Sequence, residues 1–100
     1  MTPEARLTLI RQMLVLLGTA QVSVALLPIL RSILDRMAAS SDAPRAEREL
    51  LSAQLVAAIR SDDSFNRTNP LAVQLLGAAA RFDDADHWKS KPGGPTGGGT

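Results

Sequence analysis

The densest group of chemically capable side chains in the sequence is Asp83, Asp84, Asp86 and His87. Carboxylates beside an imidazole can ligate a hard or borderline metal ion, or share a proton in acid–base chemistry. Adjacent residues on a helix diverge by about 100°, so Asp83 and Asp84 point apart instead of converging on one ion. The run also abuts a Gly- and Pro-rich tail, which offers no surrounding groups to orient ligands. The pattern predicts a solvated helix end, with Trp88 folding back onto the bundle, and no metal or cofactor.

Other chemistries fare no better. The absence of cysteine excludes disulfides, thiolate metal sites and a cysteine nucleophile. A serine triad would have to use His87, the single histidine, as its base. The tail glycines do not form a phosphate loop, since no helix follows and no Gly-Lys-Ser/Thr occurs. The sequence therefore predicts no catalytic residue and no enzyme. The nine arginines and two lysines are spread along the chain and interleaved with acids, for a net charge of +1. Residues 1–40 hold an excess of only two positive charges. A stripe making six or more phosphate contacts needs more, so nucleic acid is not the expected partner.

What must position any working surface is a set of helices. Thr2, Pro3 and Glu4 form a start signal of capping hydroxyl, first-turn proline and acid. Leu7, Ile10, Met13, Leu14 and Leu17 then recur at helical spacing, and Gly18 is placed to end the helix in a left-handed conformation. Thr19 is expected to cap a second segment to about Leu27. Pro28 sets a kink or a new first turn, followed by the stripe Ile29, Leu30, Ile33, Leu34 and Met37. Pro44 opens the next helix, with Glu47 and Glu49 early, Arg60 late, and Leu51, Leu55, Ala58 and Ile59 inward. Ser61 to Thr68 is polar and aperiodic. Asn69 and Pro70 cap and start a further helix carrying Leu71, Leu75, Ala78, Ala79 and Phe82 inward, with Asp83 to Trp88 as a last turn.

Five or six short helices with three aromatics in all predict an all-α antiparallel bundle built on Leu, Ile, Val and Ala. A chain of this size buries about two thirds of its surface on folding, enough for one core. Leu9, Val15 and Leu16 lie off the main stripe of the first helix, which implies either a central helix or an exposed patch for a partner. Residues 1–91 are expected to form the helical domain. Residues 92–100, with five of the seven glycines, read as a flexible linker or tail, which suggests the N-terminal domain of something longer.

Between Arg11 and Arg31 run nineteen uncharged residues, Gln12 to Leu30, which approach the length of a membrane span. Gln12, Thr19, Gln21 and Ser23, with Gly18 and Pro28 at boundaries, favour a buried helical hairpin and a cytoplasmic protein instead.

The stretch Asn66-Arg67-Thr68-Asn69-Pro70-Leu71, after a helix rich in Leu and Ala, resembles the closing segment of bacterial effector-associated domains. In that family's pattern the leucine stands two residues after the proline, whereas Leu71 follows it directly, and no functional residue is carried over. The resemblance implies a death-fold-like, CARD-type module making homotypic or adaptor contacts that cluster an effector, often in anti-phage defence. The expected surface is the charge mix of Arg31, Asp35 and Arg36 on one helix and Arg45, Glu47, Arg48 and Glu49 on the next. A protein partner, a second copy included, is thus expected. The alternatives are a phage-type structural or DNA-packaging protein and a small membrane protein spanning at about 12–30.

Overall fold

Thr2 sets where the first helix begins: its backbone is extended and its hydroxyl accepts the Ala5 N–H at 3.1 Å. This satisfies one of the donors that a helix start leaves unpaired. In the computed structural model, which describes residues 2–83, helix α1 runs Pro3–Thr19. Trp88, the acidic and histidine residues after Asp83, and the tail 92–100 lie outside the described residues.

Gly18 does not end α1. It lies inside the helix with open space where a side chain would stand. Termination comes from Ala20, which turns extended (φ −84°, ψ 154°) while its N–H still reaches the Leu17 carbonyl at 3.4 Å. Thr19 does not cap a following helix either. Its hydroxyl donates backward to the Leu16 carbonyl at 3.0 Å, satisfying an acceptor of the last turn. Residues 20–26 are a connection, not the helix expected there. The polar–apolar alternation through Val22 and Val24 supplies no helical stripe, and β-branched residues favour the helix weakly. Ser23 closes a turn instead, its hydroxyl accepting the Leu26 N–H at 3.2 Å and its carbonyl accepting the Leu27 N–H at 2.9 Å.

The uncharged run is thereby cut in two. Helix α2 starts afresh at Leu27, with Pro28 in its first turn, and continues to Ala39. No helix among the described residues is long and apolar enough to cross a membrane. Along α2, Leu30, Ile33, Leu34 and Met37 are buried, while Ile29 is half exposed.

Helix α3 spans Arg45–Ser61 after Pro44, and buries Leu51, Leu55 and Ile59 as the spacing predicts. Ala58 is only partly covered. The stretch after α3 is more ordered than its polarity suggests. Asp62 caps a short helix α4, Asp63–Thr68, by accepting the Phe65 N–H at 3.1 Å. Phe65 is its one buried side chain. A helix of six residues has room for a single anchor, which is why periodicity did not reveal it. Helix α5, Pro70–Asp83, begins as expected: the Asn69 carboxamide oxygen accepts the Leu71 N–H at 2.9 Å, with Pro70 first. Leu71, Ala72, Leu75, Ala78, Ala79 and Phe82 are all buried.

Five helices and no strand are found among the described residues, forming an all-helical bundle. α1 packs on α2 and α5, α3 packs on α2 and α5, and α4 lies against α3 and α5. Three long-range hydrogen bonds show which ends meet. Arg6 Nε, near the start of α1, donates to the Ser41 carbonyl just after α2. Asn69 Nδ2, at the start of α5, donates to the Gln21 carbonyl just after α1 at 3.0 Å. Ser52 Oγ on α3 donates to the Ala79 carbonyl on α5 at 3.0 Å. The deepest large side chains are Ile10, Leu17, Leu30, Leu34, Met37, Leu55, Ile59, Leu75 and Phe82. α1 is not a central helix: Leu9 is buried and Leu16 partly so, but Val15 is 69% exposed.

Burial separates positions that composition treats alike. Leu75→Ala is expected to lower stability by about 2–5 kcal/mol, through lost transfer energy and a residual cavity. Val24→Ala, at a site 90% exposed, is expected to change it by less than about 0.5 kcal/mol. Urea unfolding followed by circular dichroism reads both.

Candidate functional site

Seven charged residues on α2 and α3 are the sequence's candidates for a working surface, and the structure sorts them into three groups. Arg31, Asp35 and Arg36 on α2 and Glu47 on α3 are exposed and have no ion-pair partner among the described residues. Arg45 and Glu49 stand one turn apart on α3, with Arg45 Nε 3.9 Å from Glu49 Oε1. The same Nε lies 3.8 Å from Asp83 Oδ1 at the end of α5. Two carboxylates thus share one guanidinium, leaving an excess negative charge. At these distances and this exposure the pairs contribute about 0–1 kcal/mol.

Arg48 corrects the expectation of an exposed charge. It is 3% exposed. Its Nε donates to the Ala43 carbonyl at 3.0 Å and its Nη1 to the Phe82 carbonyl at 3.1 Å. The Phe82 carbonyl belongs to the last turn of α5, where a helix leaves acceptors unpaired. A guanidinium with five donors in a fixed fork suits such a junction. The spacing could have shown this, because Arg48 precedes Leu51, Leu55 and Ile59 by three, seven and eleven residues and shares their face. Ser52 on the same face was likewise missed.

Of the acidic and histidine group, only Asp83 is among the described residues. Asp83 is half-buried beside Arg45, whereas Asp84, Asp86 and His87 lie outside the described residues. Among the described residues no cluster of three or more His, Cys, Asp or Glu is placed to hold a metal ion.

The sequence pattern also missed a concavity. An open groove of about 960 Å³ runs between α3 and α5. Its outer wall is Ala46, Leu50, Ala53 and Ala57, at spacings of four, three and four residues, and Leu50 is 59% exposed. Val56 and Leu76 lie along its floor. Glu49 and Asp83 stand at one end and Arg60 at the other. A second apolar stripe on α3, opposite the inward one, was the available signal.

No family model, curated protein or solved structure matches this chain.

The contrast between Arg48 and Arg45 is measurable. Arg48→Ala removes the guanidinium donors to the Ala43 and Phe82 carbonyls and is expected to lower stability by about 2–4 kcal/mol. Arg48→Glu, which sets a carboxylate against those same carbonyls, is expected to cost more. Arg45→Ala is expected to stay within about 1 kcal/mol of the unaltered protein. Denaturant midpoints of the three variants give the ranking.

Proposed function

We propose that this chain is a non-enzymatic protein-interaction module, a cytoplasmic adaptor that self-associates to recruit or cluster an effector. The observation that carries the proposal is the exposed charge of both signs without ion-pair partners among the described residues: Arg31, Asp35 and Arg36 on α2, Glu47 on α3. Charges left unpaired within one copy can pair between copies. A net charge of +1 gives little repulsion to keep copies apart.

The architecture we assign is an antiparallel bundle, death-fold-like in use. The placement of α1's start beside the chain after α2, and of α5's end beside the start of α3, supports that arrangement. A contact between two different faces of such a bundle is heterologous and propagates instead of closing. The resemblance to bacterial effector-associated domains extends the proposal to anti-phage effectors.

Light scattering at several protein and salt concentrations tests it. Oligomers are expected to shrink as salt rises from about 0.05 to 0.5 M, because the Debye length falls from roughly 14 to 4 Å. Arg36→Glu is expected to weaken them while the urea midpoint barely moves, since Arg36 is exposed. A strict monomer under all conditions overturns homotypic clustering. A closed ring of fixed number would instead support a structural or packaging protein.

A further inference from the structure

We infer that the groove between α3 and α5 is a self-docking surface, on which α3 of a second copy packs in antiparallel orientation about a two-fold axis through Ala53. The inference rests on the self-association proposed above and adds to its propagating contact a second, closed one on a different face.

Ala53 is the midpoint between Ala46 and Arg60, so a two-fold axis there sets the Ala46 end of one α3 against the Arg60 end of the other. That stretch of α3 is about 21 Å long. Alanines at 46, 53 and 57 let two helix backbones approach toward the short end of the usual 8–10 Å separation. Leu50 then falls between Ala53 and Ala57 of the second copy, covering an apolar side chain that is 59% exposed in one copy. An exposed leucine facing small residues is the knob and hole that helix packing requires.

Charge selects this orientation. At one end Arg45 is shared by Glu49 and Asp83, which leaves a net negative charge. At the other end Arg60 has no partner among the described residues. Glu49 and Arg60 flank the α3 stripe on the same side, toward α5, since both line the groove with α5 residues. A two-fold axis preserves that side while reversing direction. It therefore brings Glu49 of each copy to Arg60 of the other, twice per dimer. A parallel two-fold arrangement would reverse that side and leave Glu49 and Arg60 on opposite edges of the contact, where they could not pair. The patch is small for an interface, so the dimer is weak and needs high protein concentration.

Sedimentation equilibrium of the full chain up to about 1 mM tests this. A concentration-dependent dimer is expected, and Ala53→Arg, which places two like charges on the axis, is expected to weaken it at least about tenfold. Ala53 is exposed, so the helical circular dichroism of that variant should be unchanged. Glu49→Arg and Arg60→Glu are each expected to weaken self-association by a similar factor. Mixing these two variants restores a dimer, because every cross-pair is again of opposite charge. A dimer indifferent to Ala53→Arg, or a mixture that stays monomeric, overturns the two-fold groove contact and leaves self-association through another face standing. A wild-type chain that is monomeric throughout overturns both.

Discussion

The buried guanidinium of Arg48 is the constraint on which the rest of the arrangement turns. A charge withdrawn from water is tolerated only where its donors are used. Here they reach two backbone carbonyls from different parts of the chain, Ala43 before α3 and Phe82 at the end of α5. Those bonds fix the rotation of α3 about its own axis. With Arg48 held inward, Leu51, Ser52, Leu55 and Ile59 must face the core. The opposite stripe of Ala46, Leu50, Ala53 and Ala57 must then face out. The interior polar contact and the outer groove are two consequences of one helix setting.

Ser52 tightens the same seam one turn on. Its hydroxyl donates to the Ala79 carbonyl, and α5 presents Ala72, Ala78 and Ala79 as buried residues. Small side chains bring the α5 backbone close enough for a serine to reach a main-chain acceptor. Larger residues such as Leu30, Leu34 and Leu17 fill the space between α1 and α2, where the buried Arg6 adds a directed contact of its own to the Ser41 carbonyl. Both seams thus combine apolar volume with hydrogen bonds aimed at backbone carbonyls, more of them between α3 and α5.

The difference between apolar spacing and single directed contacts explains what the sequence made legible. Burial of Leu30, Ile33, Leu34 and Met37, and of the α5 stripe, followed from spacing because apolar periodicity directly reports a face that leaves water. The starts at Thr2 and Asn69 were legible because a capping side chain and a proline act on the nearest backbone groups. The end of α1 was not, since Gly18 permits a left-handed turn without requiring one. What ended the helix was Ala20 going extended, and the connection to α2 was closed by Ser23, a single hydroxyl with no pattern around it. Helix α4 escaped for a similar reason: one cap, Asp62, and one anchor, Phe65, make no period. Arg48 was misplaced by residue type, although its position on the Leu51–Leu55–Ile59 face was visible. Treating every arginine as a surface charge hid the contact that orients the helix.

The groove raises the question of which of its residues the fold itself already accounts for. Alanine at 46, 53 and 57 has a local reason, because alanine is the strongest helix former and costs nothing when exposed. Arg60 near the end of α3 also has one, in the favourable field of a helix C-terminus. Leu50 is different. Its side chain is turned away from the core by the rotation that Arg48 imposes, and isolated exposed leucines are ordinary on protein surfaces. This one is not isolated. It rises from a wall of alanines above Val56 and Leu76, so the apolar surface around it is continuous and concave. A helix can cover that surface without disturbing the core where its large side chains meet the alanines, and the antiparallel two-fold proposed above sets Leu50 of each copy against the alanines of the other.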